Sequence, residues 1–128
     1  MQIAAVAVSA TDLSRAVAFY ELLGLSFPPI EAGTLHLEAE AGIRLMIDAA
    51  SLLTELNGEP PRPGTASAFA LLAGSPAEVD EAAARVAAAG HTVVHPPFDA
   101  PWGQRYATVA DPGGYRVDLF CPLSGQEW

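Results

Sequence analysis

A chain of 128 residues, 51% hydrophobic and 16% charged, is the size of one domain and too apolar to remain disordered. Its net charge of −9 excludes a protein that tracks a nucleic-acid backbone, because that task needs a basic surface. No apolar run approaches the ~20 residues that cross a bilayer, and the single cysteine, Cys121, excludes an internal disulfide.

Residues 2–9 alternate weakly and read as a strand. Asp12 reads as the N-cap of a helix whose Leu13, Ala16, Val17 and Tyr20 fall on one face, and Gly24 closes it. Leu25 to Ile30 reads as an edge strand, because Pro28-Pro29 bars a central position. Thr34 to Ala39 and Gly42 to Asp48 alternate as strands. Leu35, Leu37, Ile43, Leu45 and Ile47 lie on apolar faces, opposite His36, Glu38, Arg44, Met46 and Asp48. Residues 49–64, with Asn57-Gly58, Pro60-Pro61 and Pro63-Gly64, read as a linker with a short helical turn around Leu52–Leu56.

Ala66 to Leu72 reads as a strand. Ser75-Pro76-Ala77-Glu78 is a capping box with proline at the first helical position. Val79, Ala82, Ala83 and Val86 supply that helix's apolar stripe, and Gly90 ends it. His91 to His95 reads as a strand stopping at Pro96-Pro97, with a loop over Phe98 to Gly103. Arg105 to Ala110 and Tyr115 to Cys121 are the last strands, joined by the Asp111-Pro112-Gly113-Gly114 turn. Cys121 falls in the core of that last strand.

The order is βαβββ, linker, βαβββ. The repeat predicts an α+β fold: two βαβββ modules forming a curved eight-stranded mixed sheet, helices on the convex face and a small-molecule cavity on the concave one. The single domain spans 1–128, with module one about 1–49, the linker 50–64 and module two about 65–128. In this reading Asp48 and Asp118 occupy equivalent ends of the two fourth strands.

Three segments carry a family resemblance: Asp12 through Phe19-Tyr20 to Leu23-Gly24, the helix from Ser75 to Gly90, and Pro101-Trp102-Gly103-Gln104-Arg105 with Asp111-Pro112-Gly113-Gly114. In this order and spacing the chain resembles the vicinal oxygen chelate superfamily, that of glyoxalases, bleomycin-resistance proteins and extradiol dioxygenases. The resemblance implies paired βαβββ modules, a cavity on each sheet and a homodimer. Metal-using members place ligands, usually two His or Gln and two Glu, on the first and fourth strands of each module. Antibiotic-binding members use no metal and sequester the drug.

Carried onto this chain, the first-strand position falls on Ala5, and its counterpart in module two on Ala66 or Ser67. The fourth-strand positions fall on Asp48 and Asp118, one methylene shorter than Glu. Borderline divalent metals want nitrogen or sulfur donors and three or four protein ligands; two short carboxylates do not make that site. The histidines His36, His91 and His95 match no common zinc spacing. His36 is the one candidate for catalysis, a general base if paired with Glu38, Asp48 or Asp118. His91 reads as exposed.

The candidate ligand-binding residues are therefore His36, Met46, Asp48, Trp102, Tyr106, Asp118 and Phe120, with Trp102 as a stacking lid. Arg44 and Arg116 read as ion-pair partners of Asp48 and Asp118 or as an anion clamp, and Arg105 as a partner of Asp111 or the neighbouring loop. The expected function is metal-independent sequestration of a small organic molecule, of the bleomycin-resistance type, with no cofactor, in a cytoplasmic homodimer without nucleic-acid or membrane partners. The acidic charge admits a cationic guest such as an amine-bearing antibiotic. The alternative is a metal-dependent lyase, isomerase or dioxygenase with an atypical divalent-metal site on Asp48 and Asp118. A third reading is a non-catalytic module whose partner surface is its function.

Overall fold

A computed structural model describes residues 2–64 and 69–127. The chain divides into two compact units, residues 1–64 and 65–128. Among the described residues there are seven strands in two sheets and three helices. Among the described residues the strands form one sheet of three and another of four, which does not confirm the predicted eight-stranded sheet.

Unit one runs β1 (Ala5–Ala10), α1 (Leu13–Glu21), β2 (His36–Ala41), β3 (Ile43–Ala49) and α2 (Ala50–Asn57), and its sheet has the order β1-β3-β2. β1 pairs with β3 in parallel and β2 pairs with it antiparallel. The Asp12 side chain accepts from the Arg15 amide at 3.1 Å, as an N-cap does. Helix α1 buries Ala16, Val17, Phe19 and Tyr20 against the sheet face that carries Val8, Leu37, Leu45 and Ile47. Leu25 to Ile30 is not a strand: Pro28 and Pro29 bring no N–H to a ladder. The predicted turn in the linker is a two-turn helix, α2, closed by Gly58 at φ 81°.

Unit two runs β4 (Phe69–Leu72), α3 (Pro76–Ala88), β5 (Thr92–Ala100), β6 (Gln104–Ala110) and β7 (Arg116–Pro122), with sheet order β4-β7-β6-β5. It is a βαβββ unit, as the sequence predicts. Ser75 caps α3 by accepting from the Glu78 amide at 3.1 Å. The Glu78 carboxylate reaches past the cap to the Gly74 amide at 2.7 Å, so the box closes one residue early. Val79, Ala82, Ala83 and Val86 pack on Ala107, Val109, Val117, Leu119 and Cys121. Burying a valine such as Val79 or Val86 is worth about 1.5–3 kcal/mol, so this stripe anchors the unit.

Strand β5 does not stop at Pro96-Pro97 but continues to Ala100; its register shifts twice, between Val93 and His95 and between His95 and Phe98, and the second shift absorbs both prolines. That is possible because β5 is an edge strand, where proline's missing N–H costs no ladder bond. The predicted loop over Phe98 to Gly103 therefore shrinks to a tight turn at residues 101–103. Among the described residues no helix is long and apolar enough to cross a membrane.

Candidate functional site

Each sheet has one face under a helix and one face that carries the chemistry. In unit one the register places Arg44, Met46 and Asp48 of β3 beside His36, Glu38 and Glu40 of β2 and beside Ala5, Ala7 and Ser9 of β1. His36 sits between two carboxylates. Its Nδ1 lies 2.6 Å from Asp48 Oδ1 and its Nε2 2.7 Å from Glu38 Oε2. Two ionised carboxylates can only accept, so this arrangement favours the protonated ring, in which both nitrogens donate. Hydrogen bonds to Asp48 and then Glu38 raise the His36 pKa above its ordinary 6.5. The same bond to His36 lowers that of Glu38. Arg44 pairs with Glu38 at 3.2 Å and Glu40 at 3.1 Å, not with Asp48.

The structure brings His36 to Asp48 and Glu38, two of the three partners expected for it; in its protonated form the ring has no free lone pair to take a proton. The clamp also has a pH signature. Below the unfolded value near 6.5 the raised His36 contributes its full stabilisation, which is lost as pH climbs through the folded pKa. The lowered Glu38 contributes above its ordinary 4.5 and is lost as pH falls through its folded value. The cluster is thus most stabilising between those two ordinary values. An NMR titration of the His36 ring should give a midpoint above 6.5 that drops in Asp48→Asn; a wild-type midpoint at or below 6.5 contradicts the clamp.

In unit two the chemistry-bearing face carries Arg116, Asp118 and Phe120 of β7 beside Tyr106 and Thr108 of β6. Tyr106 donates its hydroxyl to Asp118 Oδ2 at 2.5 Å, and Thr108 donates to Oδ1 at 2.8 Å. Both carboxylate oxygens are thus occupied by neutral hydroxyls, not by Arg116. Burial, reinforced by the Asp118 charge, pushes the Tyr106 phenol up to about 12, so it stays protonated. Arg105, on the helix side, pairs with Asp80 of α3 at 2.9 Å and Asp99 at 3.1 Å rather than with Asp111.

Beside the Tyr106–Asp118 pair is a pocket of about 300 Å³ lined by Ala70, Trp102, Gln104, Tyr106 and Phe120. Its aromatic walls meet at near right angles: Trp102 and Tyr106 have ring centroids 5.3 Å apart at 82°, and Phe98 stands edge-on to both. Trp102 is 58% exposed, and its indole nitrogen donates to Gln104 Oε1 at 2.9 Å. The turn beneath it depends on Gly103 at φ 90°, where an added Cβ would meet the Gln126 side chain at 2.9 Å.

Of the residues expected at the site, Trp102, Tyr106 and Phe120 line this pocket, and Asp118 anchors one of its walls. His36, Met46 and Asp48 lie together on the unit-one sheet instead. Sequence reasoning missed Gln104, Ala70 and Phe98. The alternation Trp102, Gln104, Tyr106 was the available signal for Gln104. His91 is half-buried rather than exposed.

The strand register also separates Asp48 from Asp118. Asp118 pairs with Ala70, five residues before the cap Ser75, and the residue paired five before the cap Asp12 is Met46. The internal counterpart of Asp118 is therefore Met46, and that of Asp48 is Phe120. The donor set that a chelating site requires does not fit. Ala5 offers a methyl group opposite Arg44, Asp48 is bonded to His36, and Asp118 is occupied by two hydroxyls. Ala66 and Ser67 lie outside the described residues. Among those described, no group of three or more His, Cys, Asp or Glu side chains is arranged to hold a metal ion.

The sequence model of the Glyoxalase/Bleomycin resistance protein/Dioxygenase superfamily matches residues 2–119. Among solved structures, a glyoxalase/bleomycin resistance protein/dioxygenase from Nocardioides is 28% identical, with 99% of this chain and 87% of that one covered and a TM-score of 0.72. A glyoxalase-related enzyme from Fulvimarina pelagi is 27% identical, covering 94% and 87%, with a TM-score of 0.79. A lactoylglutathione lyase from Agrobacterium tumefaciens is 25% identical, covering 94% and 92%, with a TM-score of 0.67. No curated protein matches the chain.

Proposed function

This chain belongs to the glyoxalase/bleomycin resistance protein/dioxygenase superfamily, and from that membership we propose that it binds a small, flat organic molecule without a metal ion and acts by sequestering it. The observation that carries the reading is the 300 Å³ aromatic pocket of unit two. Its volume is at the lower end of small-molecule sites, and its lining is apolar with one polar side chain, the usual make-up of such pockets. Turnover has little to work with. Tyr106 is held protonated, both His36 nitrogens face carboxylates, and the ligand positions among the described residues are a methyl at Ala5 and the already bonded Asp48 and Asp118. The lyase or dioxygenase reading needs a donor set that these residues do not supply. The family precedent also makes a cytoplasmic homodimer the working assembly.

A thermal-shift screen of bicyclic and tricyclic aromatic compounds tests this. A ligand present at 100 times its Kd adds about 2.7 kcal/mol to the native state, enough for a clear rise in Tm. The expected result is that hits raise Tm equally in EDTA and in added Zn²⁺ or Ni²⁺, and that Trp102→Ala weakens them at least tenfold. Hits that appear with a divalent metal alone would overturn the metal-free reading.

A further inference from the structure

We infer that Gln104 sets the specificity of the pocket, and that the ligand is a flat aromatic compound carrying a hydrogen-bond acceptor, such as a carbonyl, in the plane of its rings. The inference rests on the binding reading above and adds to it the ligand's chemistry and orientation.

An indole nitrogen can donate but never accept. The Gln104 atom 2.9 Å from Trp102 Nε1 must therefore be the carbonyl oxygen, and the sense of the amide is fixed by its neighbour's chemistry. The amide nitrogen is left with two hydrogens, and no described residue accepts either. The pocket's other lining side chains contribute no free donor. Ala70 and Phe120 are apolar, the Trp102 N–H is spent on Gln104, and the Tyr106 hydroxyl hydrogen is spent on Asp118. Thr108, the next hydroxyl on that face, is committed to the other oxygen of Asp118.

A guest with no acceptor would strip water from the Gln104 amide and give nothing back, and an unmet buried donor is costly. A guest with an in-plane carbonyl can meet the amide while its rings lie in the corner between Trp102 and Tyr106, face to one and edge to the other. Gln104 belongs to β6, the strand that also carries Tyr106, so the donor and the aromatic wall keep a fixed spacing.

Chromone and naphthalene test this. Both are flat, neutral bicycles of similar size, and only chromone carries a ring carbonyl. Their affinities are read by ligand-observed NMR titration of the whole chain. Wild type should prefer chromone roughly five- to tenfold, the usual net worth of one neutral hydrogen bond. Gln104→Glu retains an oxygen for the Trp102 indole but removes the donor. It should lose the chromone preference, read as the ratio of the two affinities within the variant. Equal affinities in wild type, or a preference that survives Gln104→Glu, overturn the inference. If Trp102→Ala still weakens both compounds in that case, the pocket as a binding site stands and only the assignment to Gln104 falls. If Trp102→Ala changes neither affinity, the binding reading itself is wrong.

Discussion

Asp111→Ala should cost about 3 kcal/mol of unfolding free energy, the larger of two expected stability losses. Asp111 is 5% exposed, and its Oδ1 accepts from the Gly113 and Tyr115 amides, both at 2.9 Å. Those two amides shape the turn between β6 and β7. Bonds from amides to a carboxylate are among the stronger ones, and the substitution removes the acceptor of both. Asp111→Asn retains an oxygen at the same place and should recover roughly half of the loss. Urea denaturation gives both values. A loss below about 1 kcal/mol for the alanine variant would mean that the turn holds itself without the side chain.

Asp118→Ala should cost about 2 kcal/mol and also release the phenol of Tyr106. The Tyr106 and Thr108 hydroxyls both lose their acceptor in a partly buried place. Burial alone still raises the phenol, but the carboxylate's share disappears, so its midpoint should fall below about 12 in an ultraviolet titration. The linkage runs with the raised value. The stabilisation from Tyr106 is complete below the ordinary 10.0 and drains away as pH rises towards about 12. In the alanine variant that alkaline decline should be smaller and should end at a lower pH. If Asp118 instead served a metal, the variant would lose metal uptake, and its Tyr106 midpoint would not move.

The helices were legible because their signals are local. Asp12 and Ser75 cap them through their own side chains, and the stripes Ala16–Val17–Tyr20 and Val79–Ala82–Ala83–Val86 need a window of only a few residues. Strand β5 was not legible past His95, since a proline pair reads as a stop unless the sheet edge that tolerates it is known. Register was the other blind spot. Nothing in the chain says that Met46, rather than Asp48, stands where Asp118 stands, because that depends on which residue of β1 lies opposite. Trp102, Tyr106 and Phe120 were found by residue type and alternation. Gln104 was passed over because a glutamine is unremarkable until an indole fixes its amide. Asp48 was among the partners considered for His36. Glu38 was another, and what the sequence did not show is that both bind the ring at once, which favours its protonated form.

The path of β5 bears on how this protein behaves when concentrated. With Pro96 and Pro97 set into one of its two irregularities, its outer rim lacks the unbroken row of donors and acceptors that a neighbouring molecule would need to add a strand. Growth of fibres by edge-to-edge joining is therefore blocked along that margin. Replacing the two prolines with valine would remove this safeguard before it altered the pocket.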